Sequence, residues 1–131
     1  MLRGNFFELA SVNDSAGKLT AVIHFDKTHE IFQGHFPGQP VVPGVCMIQM
    51  VKEILVQVVG NATRLEVADL VKFLTVIDPR ETSTVYIELI YSNLENDRVK
   101  ISATLFNEEI IYFKMRGTFL VSRATAAGKL T

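Results

Sequence analysis

Residues 43–61 read PGVCMIQMVKEILVQVVGN. Proline is favoured in the first turn of a helix, where its missing N–H costs nothing, so a helix starts at Pro43 or Gly44. Gly60-Asn61 supplies a left-handed stop, which leaves a helix of about 16 residues. It is apolar all round except along one line, formed by Gln49, Lys52, Glu53 and Gln57. These residues and Pro43 interrupt the apolar run from Val41 to Val59, and they would be expensive in a bilayer. The stretch therefore predicts a buried helix with no membrane partner.

The sequence on either side supplies what covers such a helix. In LTAVIHFD, Leu19, Ala21, Ile23 and Phe25 share one face, while Thr20, Val22, His24 and Asp26 share the other. That is the period of a half-buried strand. FFELASV precedes it as a first strand, and NDSAG at 13–17 makes the hairpin connection. Four further strands follow the helix: LVKFLTVID, TVYIELIY, RVKISATLF and IIYFKMRGTFLV, separated by PRETS, NLEND and NEE. In the last of them Ile111, Phe113, Met115, Gly117, Phe119 and Val121 alternate against Tyr112, Lys114, Arg116 and Thr118. The order is two strands, one long loop, one helix and four strands. Such a helix is buried only if an antiparallel sheet wraps round it, an α+β arrangement.

The chain has 131 residues, 48% of them hydrophobic, which suits one domain over 1–123 with a frayed tail at 124–131. A net charge of -1 and the absence of Trp argue against nucleic acid. From Arg98 onward six Lys or Arg face two acids, so this third is locally basic and could meet an acidic partner. One cysteine, Cys46, forms no internal disulfide, and MLRGNFFELA holds no long apolar stretch; a reducing cytoplasm is the expectation.

The loop before the helix carries the chemistry. Pro37, Pro40 and Pro43 recur every third residue, and Gly34, Gly38 and Gly44 lie among them, so little loop entropy remains to be lost. Within it sits His35. The helix start at Gly44-Val45 offers unpaired N–H groups and a partial positive charge that polarise a carbonyl, and a histidine facing them can remove a proton beside that carbonyl.

IFQGHFPGQPVVPGV resembles the signature of the hotdog-fold 3-hydroxyacyl-(acyl carrier protein) dehydratases, with Pro at +2, Gly at +3, Pro at +5, Pro at +8, Gly at +9 and Val at +10 from His35. The likeness extends over the strand order and resembles the small dehydratases, or the related proteins of aryl-polyene and other lipid clusters. It implies the hotdog fold, an antiparallel sheet wrapped round one long central helix. It further implies a cofactor-free hydro-lyase converting a 3-hydroxyacyl thioester to the trans-2-enoyl thioester. The implied partners are an acyl carrier protein bearing that thioester on phosphopantetheine and a second copy of the chain, as a homodimer or three dimers together, with the site between subunits. His35 would move the C2 proton, and the Gly44 amide would bind the carbonyl with Val45, Phe36 and Pro43 around the substrate.

An acid is implied fourteen residues after the histidine, where this chain has Gln49, which cannot protonate a leaving hydroxyl. Glu53, one helical turn on, stands where such proteins commonly have Gln. Two readings of it stand side by side. Glu53 supplies the acid, directly or through a water held by Gln49, its pKa raised by surrounding Val, Ile and Leu; or it pairs with Lys52, Arg64 or a partner chain and does no chemistry. Two other functions share the motif: a non-catalytic or half-catalytic partner of an active hotdog subunit, and a hotdog thioesterase.

Cys46 reads as tunnel or core lining, as do Met47, Ile48, Met50, Val51, Ile54 and Leu55. His24 and His29 read as structural or exposed, since their spacing to Asp26 or Glu30 matches no metal pattern. Lys72, Lys100, Lys114 and Arg116 are candidate contacts for the acidic carrier, or an ordinary solvated face.

Overall fold

A computed structural model describes residues 2–34 and 41–122. His35, Phe36, the remainder of the loop to Pro40, and the tail expected at 124–131 lie outside the described residues.

Six antiparallel strands form one sheet in the order β1-β2-β4-β5-β6-β3. They are β1 (Phe7–Ser15), β2 (Lys18–Phe25), β3 (Thr63–Phe73), β4 (Thr84–Tyr91), β5 (Arg98–Asn107) and β6 (Ile110–Val121). The long helix α2 (Gly44–Val59) packs on one face of the sheet and buries Cys46, Met47, Met50, Val51, Ile54 and Leu55. The alternating positions of β2 join the same core: Leu19, Ala21, Ile23 and Phe25 are buried, with Val85, Ile87 and Leu89 of β4 beside them. Ala16 and Gly17 at the β1–β2 turn both have positive φ, the conformation a two-residue hairpin requires. Gly60 closes α2 at φ 79°, with its N–H on the Val56 carbonyl.

Three expectations are corrected. The loop after β2 contains a short helix, α1 (Glu30–Gly34). Its start is shaped by side chains: His29 Nδ1 accepts the Ile31 N–H at 3.1 Å, and Asp26 accepts from the N–H and hydroxyl of Thr28. Those bonds substitute for the missing periodic pattern. The strand expected over 70–78 instead begins at Thr63 and ends at Phe73. Register shifts between Leu65 and Val67 and between Ala68 and Leu70 break its alternation, which is why periodicity misplaces it. Opposite them Gly117 leaves room for the bulged strand, since a Cβ there would lie 2.5 Å from the Val67 carbonyl oxygen. Beyond Phe73 the N–H groups of Leu74 and Thr75 turn to the Tyr112 carbonyl. Finally, at the start of β6 Tyr112 is buried and Ile111 exposed, because the register with β5 shifts between Leu105 and Phe106.

Candidate functional site

Pro43 enters α2 in extended backbone, φ -63° and ψ 145°, with no side-chain cap among the described residues. The first bonds of the helix run from the N–H groups of Cys46 and Met47 to the Pro43 carbonyl, at 3.0 and 3.3 Å. The N–H groups of Gly44 and Val45 precede that ladder and carry the positive end of the helix dipole.

An apolar groove of about 410 Å³ opens beside them, lined by Val41, Val42, Gly44, Met47 and the run Phe73 to Val76. The Phe73 ring lies against Gly44 so closely that a Cβ there would sit 2.8 Å from two ring carbons. It leans on buried Phe113, ring centroids 5.3 Å apart, yet is 54% exposed. The Val45 side chain is 73% exposed, and Leu74 and Val76 are exposed beside it. The helix start thus combines N–H donors that have no acceptor among the described residues with uncovered apolar surface. Sequence placed Phe73 in a strand but gave no sign that its ring meets Gly44, because that contact joins segments distant in the chain.

One turn and more along α2 the arrangement is closed. Glu53, on the helix line read as polar, is buried, with 6% of its surface exposed. Its carboxylate accepts the Leu2 N–H at 3.0 and 2.9 Å, the Arg3 N–H at 2.8 Å, and a hydrogen from Gln49 Nε2 at 2.9 Å. Arg3 also donates from Nη1 to Gln57 Oε1. Burial works to raise the Glu53 pKa, but the Leu2 and Arg3 N–H groups and the Gln49 amide together outweigh it and hold the carboxyl below its ordinary value. The expectation of a raised pKa is therefore corrected: apolar neighbours matter less than donors aimed at the charge. The expected pairing with Lys52 or Arg64 is corrected too, since its carboxylate is bonded by backbone donors of the N-terminal segment and by Gln49.

That segment also reaches α1. Phe6, fully buried, stacks on Phe32 at 5.0 Å and meets the His29 ring edge-on at 5.4 Å. It links the element leading into the His35 loop to the helix bearing Gln49. Residue type could not have signalled this, because the groups Glu53 grips are main-chain.

Cys46 packs in the core, where burial pushes its thiol up. His24, exposed, has Nδ1 2.9 Å from Thr84 Oγ1. Among the described residues no three His, Cys, Asp or Glu gather to hold a metal, and no helix is long and apolar enough to cross a membrane. Lys72, Lys114 and Arg116 line a polar hollow of about 330 Å³ with Ser102 and Thr104; Lys100 is exposed nearby on β5.

The family model described as ApeI dehydratase, ApeI-like, matches residues 11–114. The chain belongs to the ApeI-like dehydratase family. Two curated relatives are both 3-hydroxyacyl-(acyl-carrier-protein) dehydratase FabZ. The one from Levilactobacillus brevis is 34% identical over 83 residues, 58% of this chain and 56% of its own length. That from Pediococcus pentosaceus is 28% identical over 99 residues, 70% of this chain and 65% of its own. The chain thus spans less than two thirds of either relative. Among solved structures, the dehydratase heterocomplex ApeI:P from Xenorhabdus doucetiae aligns with TM-score 0.68 at 18% identity, covering 86% of this chain and 96% of that one. A protein of Helicobacter felis homologous to HP0420 aligns with TM-score 0.64 at 15% identity, covering 88% of each chain. This ApeI-like member accordingly has the hotdog fold, with α2 as its central helix.

Proposed function

We propose that this ApeI-like protein is a 3-hydroxyacyl thioester dehydratase, or hydratase in reverse, acting in the cytoplasm on acyl groups carried by an acyl carrier protein in lipid or polyene synthesis. The observation that carries the reading is the start of α2, where the N–H groups of Gly44 and Val45, without an acceptor among the described residues, border an apolar groove of about 410 Å³. The thioester carbonyl takes the N–H groups, and the acyl chain takes the groove. His35 and Phe36, which precede α2 in sequence, are the residues we assign to this carbonyl, and Pro43 opens the helix beside it. His35 removes the C2 proton as the carbonyl oxygen gains charge against the helix dipole. A second copy of the chain, pairing along the edge strand β3, covers exposed Val45, Val67, Phe73, Leu74 and Val76 and completes the groove. Lys72, Lys100, Lys114 and Arg116 offer the acidic carrier a basic face.

The experiment is turnover of 3-hydroxyacyl pantetheine thioesters by the purified chain, followed by the absorbance of the conjugated enoyl product. His35→Ala is expected to lower the rate at least about 100-fold. Release of thiol without enoyl product points instead to a thioesterase.

A second reading has an observation of its own. Gln49 holds no transferable proton, and the carboxyl of Glu53 is donor-saturated, which suits a half-catalytic subunit of a mixed assembly; the similar structure from Xenorhabdus doucetiae is itself a dehydratase heterocomplex. An inactive homo-oligomer that gains activity on mixing with an active hotdog subunit selects it.

A further inference from the structure

We infer that Glu53 is a positioning residue that fixes the Gln49 carboxamide end for end, so that position 49 meets a bound 3-hydroxyacyl thioester through Oε1, as a hydrogen-bond acceptor. This rests on the thioester-lyase reading above. The geometry leaves little choice of amide orientation. Gln49 Nε2 stands 2.9 Å from Glu53 Oε2, and the other donors on that carboxylate are the N–H groups of Leu2 and Arg3. An ionised carboxylate only accepts, so turning the amide round would set oxygen against oxygen. Among the described residues no group donates to Gln49 Oε1, and the side chain is half-buried.

The consequence is chemical. The 3-hydroxyl of the substrate donates its hydrogen to Gln49 Oε1, which leaves the lone pairs of the hydroxyl oxygen open. His35 takes the C2 proton, the C2–H electron pair forms the C2–C3 double bond, and the C3–O bond breaks. The imidazolium returns its proton to the departing oxygen, which leaves as water. No second acid is consumed, so a glutamine where an acid was expected orients the leaving group without protonating it.

Glu53→Gln tests this without changing the number of heavy atoms. The new carboxamide keeps its oxygen on the Leu2 and Arg3 N–H groups and offers its NH2 to Gln49. Gln49 then turns round and presents Nε2 instead of Oε1. Two ligands read the change: the 3-hydroxybutyryl pantetheine thioester, whose hydroxyl can donate, and the acetoacetyl thioester, whose 3-oxo group only accepts. Both are measured in a His35→Ala background, which keeps them unreacted. We expect the Glu53→Gln change to shift the hydroxy-to-oxo affinity ratio about tenfold toward the oxo ligand. An unchanged ratio, with both ligands bound, overturns the inference.

Hydrogen exchange of the Gln49 side-chain NH2, assigned by its loss in Gln49→Leu, reads the same orientation without a ligand. Protection in the wild type that falls about tenfold in Glu53→Gln supports the inference; equal exchange in both overturns it. If neither thioester binds the wild type, the lyase reading falls and this exchange alone decides the role of Glu53. Should circular dichroism find Glu53→Gln unfolded, the wild type decides: an unprotected NH2 overturns the inference.

Discussion

The two halves of α2 are built on opposite principles. At its start, the Gly44 and Val45 N–H groups have no acceptor among the described residues, Val45 is exposed, and an apolar groove lies open under Phe73. In its middle, Glu53 is buried and the donors around it are matched to its two oxygens. Hydrogen-bonding capacity that is buried must be satisfied on folding, whereas capacity left at a helix end can be spent on a ligand. Within one helix the difference separates a place for binding from a place for holding, and it assigns Gln49, between them, to both.

Removing the holding side costs most. Glu53→Ala leaves the Leu2 and Arg3 N–H groups and the Gln49 amide without their acceptor and is expected to lower stability by roughly 2–3 kcal/mol in urea denaturation. A loss below about 0.5 kcal/mol would mean that the N-terminal segment is held by Phe6 alone and that the two halves do not differ in this way.

Cys46 tests the boundary between them. It lies in the first turn, where a helix dipole favours thiolate, but burial pushes its thiol up. Alkylation by iodoacetamide at neutral pH is expected to run at least about tenfold slower in the folded protein than in urea. Equal rates would place Cys46 on the open side.

A smaller effect is expected at Gly44. In Gly44→Ala the new Cβ meets the Phe73 ring at 2.8 Å. The ring is half exposed and can swing away, so the loss should be about 1 kcal/mol. Phe73→Ala in the same chain should remove most of that penalty, and a double-mutant cycle with zero coupling would contradict the packing of the ring on the helix start.

The smallest effect is in acid. Glu53 sits below its ordinary pKa in the folded chain, so the unfolded chain binds the proton more readily. Its contribution is complete above the unfolded value and is lost as pH falls through the folded one. The stability difference between wild type and Glu53→Gln should therefore shrink from about pH 6 to about pH 3. Asp26, Glu66 and Asp78 are likewise held low, by hydrogen bonds from Thr28, Arg98 and Arg80, and these cancel between the two proteins. A difference independent of pH would show that the carboxylate charge is not what grips the N-terminal segment.

Much of this chain was legible before any coordinates. TVYIELIY and IIYFKMRGTFLV are β4 and β6 residue for residue, because alternation of apolar and polar side chains is a local property that a two-sided sheet converts directly into burial. Pro43 and Gly60 bracket α2 for reasons equally local, a missing N–H and a positive φ. The positions of Gln49 and Glu53 on one helical face could also be read from their spacing. What each side chain does there could not.

Glu53 is bonded to backbone groups 51 and 50 residues away, and a main-chain N–H looks the same in every sequence that can supply one. β3 escaped for a related reason: its bulges are set by pairing with β6, and they erase the period by which a strand is recognised. The sequence by itself determined the helix, most of the strands, their buried faces and the residues available for chemistry. Only the tertiary structure decided which end of α2 remains open and which donors hold Glu53 ionised, because both depend on contacts between segments that local patterns do not connect.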